Sequence, residues 1–442
     1  GSYSFLDRYV VAGSIRMDGA DIIGTANRFS PLWNASFKYN VYEEGFMKKI
    51  SWLEELAFRL SYGYTGSIDK NALPFGVMTF MSTDEYFGYD IPTYIQPKNP
   101  SVKWQKKEDR SVGVDFALLN RRIRGTVNYY NNVTRNLLDT KNLPISVGVS
   151  SIKYNSSSVR NYGWEFSMNS QVLRTKELFW KVDFNVGMNR SKVIKTYYKD
   201  ISEIPKGYDK TTPVEGASTN AWFGYRFAGI DPRTGHTLAF VDNSKREKPI
   251  GFQREDDRWV LDMDDVVNKD RESIKENLGD SYPTVNGGFR TNLSWKDFTF
   301  DANFTFMVGH KITAAYYATS AGGVVSAASQ NVLKKEATRW RKPGDITDVP
   351  VYSSGGEYSS LYSEWYDLKL ESGDFLKCTS ISFGYRVPSK ICQKFSLTSL
   401  RVNFNVRDVF TISGYSGLDP ENFGGFSYPN SKKYMISLNI GI

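Results

Sequence analysis

Cysteine and histidine are almost absent from this sequence, and their scarcity excludes several kinds of site. The 442 residues include two cysteines, Cys378 and Cys392, and two histidines, His236 and His310. Structural zinc sites usually draw four ligands from these residue types, so no structural metal site is expected. Cys378 lies in a predicted strand and Cys392 in the turn after it, and the sequence leaves open whether the two pair.

Long apolar runs are also missing. The mean hydropathy is −0.44, and no stretch approaches the roughly eighteen apolar residues that a transmembrane helix needs. The first residues lack the basic and then apolar segments of a secretory signal. An exported protein with this sequence is therefore expected to be a mature or internal piece.

The distribution of charge and the lack of catalytic groupings argue against a nucleic-acid-binding protein and against an enzyme. The formal net charge is +8, but Lys and Arg are scattered among Asp and Glu, so nucleic acid is not expected as a partner. No Ser or Asp cluster has a neighbouring His, so we expect no enzyme activity and no cofactor. An acidic run with Asp262, Asp264 and Asp265 could bind calcium, but it lacks the spacing of an EF-hand loop and favours a solvated external loop.

Strict alternation of apolar and polar residues is what the sequence does contain. In Trp180–Met188 every even-numbered residue is apolar, and every odd-numbered residue is polar or glycine. The same alternation recurs in Phe298–Phe306, Leu400–Val406 and Tyr434–Ile442. Such alternation gives a strand one apolar and one polar face. These segments run to nine or more residues, longer than the five or six of an average strand and long enough to cross a bilayer at a tilt.

Twelve segments show this pattern. The predicted strands are Tyr9–Met17, Pro31–Asn40, Leu56–Tyr64, Glu108–Leu118, Arg122–Val133, Asn161–Leu173, Phe179–Ser191, Val285–Trp295, Phe298–Gly309, Phe375–Val387, Leu400–Phe410 and Tyr434–Ile442. Aromatic residues make up 15% of the chain, a content that suits the aromatic girdles of outer-membrane barrels. The sequence therefore predicts an all-β fold, a transmembrane antiparallel β-barrel.

The connections alternate between short and long. Leu119–Arg121 and Lys296–Asp297 are short, whereas Lys192–Thr284 and His310–Asp374 are long. Short periplasmic turns and long extracellular loops are typical of outer-membrane barrels. Two segments are less regular. Val41–Glu55 predicts either a short amphipathic helix or a turn, and Trp222–Phe240 predicts a hairpin that we place outside the barrel.

Six motifs in order resemble the SusC/RagA family of TonB-dependent outer-membrane transporters. The resemblance covers essentially the whole chain. The motifs are Asp7–Gly19 with Arg28–Pro31, Trp52 with Leu56–Gly66, Trp104 with Gly113–Phe116 and Tyr129–Asn131, Asn161–Phe166, Gly373–Leu376 with Gly384, Tyr385 and Pro388, and Tyr415–Glu421.

The resemblance implies more protein than this sequence contains. Members have a plug domain, a TonB-contacting segment and a barrel of 22 strands, so residues 1–442 are expected to form the C-terminal portion, about 12 of 22 strands, with the plug and N-terminal strands absent. A half-barrel would leave unpaired strand edges in lipid. The rest must therefore come from the same gene or a second chain; nicking or a split gene would both produce this piece.

The resemblance also implies a cell outer membrane location and a function. That function is TonB-dependent import of glycans or oligopeptides, with a SusD-like surface lipoprotein as partner and with the TonB–ExbB–ExbD complex acting through the missing plug region. Outer-membrane lipid surrounds the barrel. The alternatives are a scaffold in an outer-membrane assembly or secretion complex and, less favoured, a passive porin.

Aromatic residues in the long loops are the candidate contact residues. Tyr, Trp and Arg are enriched in protein interfaces, and aromatic rings also stack on sugars. Partner contact is the favoured interpretation and ligand contact the alternative. The candidates are Tyr316, Tyr317, Tyr358, Tyr362, Trp365, Tyr366 and Tyr415.

Overall fold

The computed structural model of the chain is an all-β protein. It describes residues 1–70, 74–86, 89–96, 98–144, 146, 151–203, 213–244, 246–264, 271, 273–314, 334–351, 366–422 and 428–442. The strands are β1 (Ser2–Phe5), β2 (Tyr9–Gly19), β3 (Phe29–Asn40), β4 (Leu53–Ser67), β5 (Val77–Tyr86), β6 (Tyr89–Gln96), β7 (Gln105–Leu118), β8 (Ile123–Asn142), β9 (Ser151–Arg174), β10 (Leu178–Lys195), β11 (Ala221–Gly224), β12 (Phe227–Ile230), β13 (Thr237–Phe240), β14 (Phe252–Gln253), β15 (Trp259–Asp262), β16 (Glu276–Asp280), β17 (Val285–Trp295), β18 (Phe298–Val308), β19 (Lys311–Thr313), β20 (Leu370–Ser372), β21 (Phe375–Arg386), β22 (Ser399–Ser413) and β23 (Lys433–Gly441).

Helices are short. An α-helix, α1, spans Ser389–Lys394. The 3-10 helices span Thr25–Asn27, Val41–Glu43, Met47–Lys49, Ile201–Glu203, Lys334–Thr338, Asp367–Lys369 and Pro420–Asn422. None of the helices among the described residues has the length and apolar character needed to cross a membrane.

The chain divides into two compact units. The first comprises Gly1–Ser170, Gly187–Lys199 and Pro213–Thr219. The second comprises Gln171–Val186, Asp200–Thr212 and Asn220–Ile442. Thirteen of the described strands belong to a large antiparallel sheet. The first unit contains β1-β2-β3-β4-β7-β8 in that order, and the second contains β17-β18-β21-β22-β23. The strands β9 and β10 have residues in both units.

All twelve predicted strands are confirmed. Val285–Trp295 has its predicted bounds, and most of the others extend further than the alternation indicated. The strands β8 and β9 reach 20 and 24 residues, beyond the roughly 9–11 that cross a bilayer. Their extra length lies at the end that carries a long loop, so this part of the hairpin extends outside the membrane. The thirteenth strand, β1, was missed because four residues are too short to show alternation.

In the first unit, the two faces of the sheet differ as the alternation predicts. On the outward face, Ile15 is 82% exposed and Leu60 48% exposed. On the opposite face, Arg59 donates to both carboxylate oxygens of Asp115 at 2.7 and 2.9 Å and to the side chain of Asn128 at 2.9 Å. Apolar residues exposed outward and hydrogen-bonded polar residues inward are the arrangement of a membrane barrel wall.

The second unit repeats this division of faces. Phe289 and Phe304 are opposite each other on β17 and β18, and their rings stack with centroids 4.4 Å apart. On the other face, Arg290 is paired with Asp301, and Asn303 donates to Asp301 at 3.0 Å. Phe304 therefore lies on the opposite face of β18 from Asp301 and Asn303, as the alternation predicts.

The segment Val41–Glu55 does not form one amphipathic helix. It contains two single-turn 3-10 helices, followed by the start of β4 at Leu53. Glu44 lies between the turns and accepts hydrogen bonds from Arg8, Tyr9 and Tyr39 at 3.2, 3.0 and 3.2 Å. One carboxylate thus holds the β3–β4 connection against the neighbouring strand ends.

The segment Trp222–Phe240 lies outside the large sheet, as predicted, but it is not a single hairpin. Its first strand, β11, pairs with β16, whereas β12 pairs with β13 in a four-stranded sheet of order β12-β13-β15-β14. These six strands, β11 to β16, belong to the long loop after β10, and we call them the extracellular module.

The structure also answers whether the two cysteines pair. Cys378 and Cys392 are both buried and do not form a disulfide.

Candidate docking face of the extracellular loops

The structure describes two of the seven candidate contact residues. Tyr316, Tyr317, Tyr358, Tyr362 and Trp365 lie outside the described residues. The two that can be placed, Tyr366 and Tyr415, differ in burial and in partners.

Tyr366 is a core residue of the extracellular module. Its side chain is fully buried in a cluster with Tyr225, Met263 and other apolar residues. Its ring lies 5.5 Å from that of Tyr225, and its backbone forms a parallel bridge with the same residue. The interpretation of Tyr366 as a surface contact is therefore revised, because a ring with no exposed area cannot touch a partner.

Tyr415 is half-buried at the loop that follows β22. Its hydroxyl donates to the backbone oxygen of Thr313 at 3.1 Å. The next residue, Ser416, donates through its backbone and hydroxyl to the Glu371 carboxylate at 2.9 and 2.8 Å. Burial, together with the Glu371 charge, raises the pKa of the Tyr415 hydroxyl, so it remains a donor at neutral pH. The loop after β22 is thereby fixed to the β19–β20 pair.

Exposed apolar residues lie on the same loops. Leu418 is 69% exposed and Tyr428 is 89% exposed. On β21, Lys377 is almost fully buried and forms ion pairs with Glu421, in the same loop, and with Asp408, the latter at 3.2 Å. No motif marks Lys377, although a lysine that alternates with apolar wall residues is a signal for an inward-facing ion pair. The loop therefore presents apolar side chains on a fixed base.

His310 lies under the base of the long loop between β18 and β21. Its side chain is fully buried, with Nδ1 3.9 Å from the Asp374 carboxylate. The ring also packs against Gly373, where any Cβ would come within 2.4 Å of Nε2. Burial lowers the pKa of His310 from 6.5, and the Asp374 charge opposes that shift.

We expect acidification to loosen this loop base. Because the folded pKa of His310 is below the unfolded value of 6.5, the neutral ring stabilises the fold above that value, and this stabilisation is lost as the pH falls below it. The protection factors of the β19 amides, which correct for the slower intrinsic exchange at low pH, should therefore fall between pH 7 and pH 5. The variant His310→Gln should show a weaker pH dependence, and an equal loss of protection in both proteins would contradict the assignment.

Carboxylates of the extracellular module bind the module's own groups. Asp262 accepts a hydrogen bond from His236 Nδ1 at 2.8 Å, and Asp264 accepts one from the Thr237 amide at 2.8 Å. Burial alone would raise the pKa of Asp231, but hydrogen bonds and the ion pair with Arg233 hold that pKa below its usual range. Across the described residues, no group of three or more His, Cys, Asp or Glu side chains is arranged to hold a metal ion.

Comparison with known proteins identifies the family. The model of the family described as TonB dependent receptor-like, beta-barrel, matches residues 1–245, more than half of the chain. The TonB-dependent receptor P3 of Formosa agariphila is 25% identical over all of this chain and 43% of its own length. The TonB-dependent receptor SusC of Bacteroides thetaiotaomicron is 24% identical over 99% of this chain and 43% of its own length.

Solved structures agree in fold. The RagAB peptide transporter aligns with a TM-score of 0.81 at 23% identity, covering 99% of this chain and 46% of that one. The RagAB peptide importer in its open-open state aligns with a TM-score of 0.75. The chain thus spans less than half the length of the relatives it matches. From the family model, the register of the strands and the two-faced sheet, we conclude that the chain belongs to the TonB-dependent receptor-like β-barrel family and is an outer-membrane protein.

Proposed function

We propose that the chain forms part of the barrel wall and loop face of a TonB-dependent importer of glycans or oligopeptides that works with a SusD-like surface lipoprotein. The observation that carries the proposal is similarity along 99% of the chain to SusC, in the same motif order as the SusC/RagA family. In this proposal the TonB–ExbB–ExbD complex supplies energy through a plug region that lies outside residues 1–442.

The chemistry of the described wall supports transport in preference to catalysis. Inward-facing residues form ion pairs and amide clusters, such as Arg59 with Asp115 and Arg290 with Asp301. These charged and amide side chains hydrogen-bond to one another and line the polar face, as expected for the polar interior of a membrane barrel. They resemble the walls of a conduit, and the substrate would be bound by loops and by the partner.

Within the loop after β22, the described residues 415–422 and 428 form the surface best suited to the lipoprotein. Its base is fixed by the Tyr415, Glu371 and Lys377 contacts, while Leu418 and Tyr428 project outward. A fixed base lowers the entropy lost on binding, and exposed aromatic and aliphatic anchors contribute most of the energy of an interface.

We expect the double variant Leu418→Arg, Tyr428→Arg to lose its partner. In a pull-down from native outer membranes with the full-length receptor, the wild type should retain an abundant surface lipoprotein. Two hot-spot substitutions of about 2 kcal/mol each would reduce its affinity about 1,000-fold. Both side chains are exposed, so the variant should fold normally.

A matched control lies on the opposite rim. Phe395 follows α1 in a short periplasmic connection and is 71% exposed, close to the 69% of Leu418. Phe395→Arg should leave the lipoprotein bound. If the double variant and the wild type retain equal amounts, this loop is not the docking surface. If the wild type retains none, the importer proposal gives way to the scaffold alternative.

A further inference from the structure

A cluster of basic side chains lies on the outward face of the first unit, in the extracellular halves of β7, β8 and β9. In the register, Tyr62 is opposite Arg110, and Gly66 is opposite Lys106. Lys106 is in turn opposite Arg135. Because side chains on one face recur at every second residue, Lys106 and Arg110 share their face with the apolar Val112.

The fourth member is Arg160. It is opposite Val133 on β8, and Val133 is opposite Glu108 on β7. We define the basic cluster as Lys106, Arg110, Arg135 and Arg160, with Glu108 among them. Four positive charges against one carboxylate leave the cluster with three excess positive charges.

Glu108 cannot neutralise this cluster. Its side chain is only 6% exposed and is already engaged by Arg110, by Arg135 at 3.7 Å and by the Tyr62 hydroxyl at 2.9 Å. The inward face of the same strand differs, because Lys107 and Asp109 pair there at 2.5 Å and balance each other. The charge excess therefore belongs to the face that meets the membrane.

Aromatic residues place this cluster at the membrane interface. The Trp33 ring lies 5.3 Å from Tyr62 and 5.5 Å from Tyr64, and Tyr129 lies 4.9 Å from Trp164. Such girdles mark the boundary between hydrocarbon and headgroups. The basic side chains are therefore at the depth of the lipid phosphates.

An apolar groove on the outward face leads to the cluster. It has a volume of about 510 Å³ and is lined by Val11, Phe37, Leu60, Val112 and Tyr129, with Arg110 also in its lining. Each of the five apolar residues is laterally paired with the next across β2, β3, β4, β7 and β8. The groove thus runs across the strands and has its cation on the extracellular side.

A second outward-facing groove has no basic side chain in its lining, unlike the first, which includes Arg110. In the second unit, a groove of about 620 Å³ is lined by Trp295, Phe298, Phe300, Phe383 and other residues, among which there is no basic side chain. It lies toward the short turns. That surface suits bulk hydrocarbon alone, whereas the first offers both hydrocarbon contact and positive charge.

We propose that the groove and the basic cluster form a binding site for a phosphate-bearing, multiply acylated lipid of the outer leaflet. An acyl chain lies in the groove against Leu60 and Val112, and the phosphate is bound by Arg110 and Arg160. Charge complementarity argues for this occupant, since three excess positive charges at headgroup depth favour an anionic headgroup. Guanidinium groups bind phosphate through strong, charge-assisted hydrogen bonds. The occupant is a lipid because the positive charge is continuous with an apolar groove.

The test uses the full-length receptor in phosphatidylcholine nanodiscs that contain bisphosphorylated lipid A, with lipid adducts counted by native mass spectrometry. Saturable binding is expected for the wild type. Arg160→Gln, which leaves the Arg110–Glu108 pair in place, should weaken binding about tenfold, as the loss of one charge-assisted contact predicts. The double variant Arg110→Gln, Arg160→Gln should weaken it further.

The matched control is Lys107→Gln, which removes one charge from the same strand but from the inward face. It should bind lipid A as the wild type does. A lipid A with both phosphates removed should bind at least tenfold more weakly, and inorganic phosphate should not compete. Equal loss in Lys107→Gln, equal binding of the dephosphorylated lipid, or competition by inorganic phosphate would each overturn the proposal, as would the absence of saturable binding to wild type.

Discussion

Replacing Tyr366 by alanine is expected to destabilise the extracellular module by about 3–5 kcal/mol, the range seen when a buried aromatic side chain is truncated. The ring is fully buried. It contacts Tyr225 and lies edge-on to Phe227, with centroids 6.1 Å apart. Its neighbour Asp367 accepts the Phe227 amide at 2.9 Å, so the substitution would also loosen the chain connection beside β12.

Hydrogen exchange measures this effect directly. β13 is paired on both sides, by β12 and β15, so its amides report opening of the module. They should exchange much faster in Tyr366→Ala, whereas Tyr366→Phe keeps the ring and should change exchange little. If exchange in Tyr366→Ala equals that of the wild type while lipoprotein capture falls, Tyr366 is a contact residue after all.

The strands of the large sheet could be predicted because each strand shows the alternation of apolar and polar residues in its own sequence. Eleven residues of β17 alternate between a membrane face and a polar face, and the membrane imposes that pattern along the whole strand. The ends were less certain, because β8 and β9 continue past the bilayer, where neither face need be apolar. Alternation therefore indicated where a strand is embedded and not where its hydrogen bonding ends.

The extracellular module could not be predicted in this way. Its strands have two to five residues, too few for a period to be recognised. Its β11 is buried on both faces, which removes alternation altogether. Tyr366 shows the consequence, because an aromatic residue in a tyrosine-rich loop suggested a contact surface although three-dimensional packing makes it a core residue. Lys377 was missed for the same reason, since its partners, Asp408 on β22 and Glu421 in the loop after it, are distant in sequence.

Replacing Phe304 by arginine should destabilise the folded barrel by about 2–4 kcal/mol, the cost of a basic side chain on the lipid face near the bilayer midplane. Phe304 is close to the middle of β18, which spans Phe298–Val308. Its ring stacks on Phe289 and lies edge-on to Phe410, with centroids 6.4 Å apart. An arginine there would lose both contacts and would have to extend toward the interface to reach water.

Two further variants separate charge from packing and from position. Phe304→Leu keeps an apolar side chain and should cost less than Phe304→Arg, because no charge enters the hydrocarbon. Asn185→Arg introduces the same charge on the polar face of β10, where Asn185 is exposed, and should change stability little. Denaturant titration in lipid vesicles gives the free energy of unfolding for all three in the full-length receptor. If Asn185→Arg were as destabilising as Phe304→Arg, the two faces would not be lipid and water, and the sheet register would have to be reassigned, since a shift of one residue exchanges every side chain between faces.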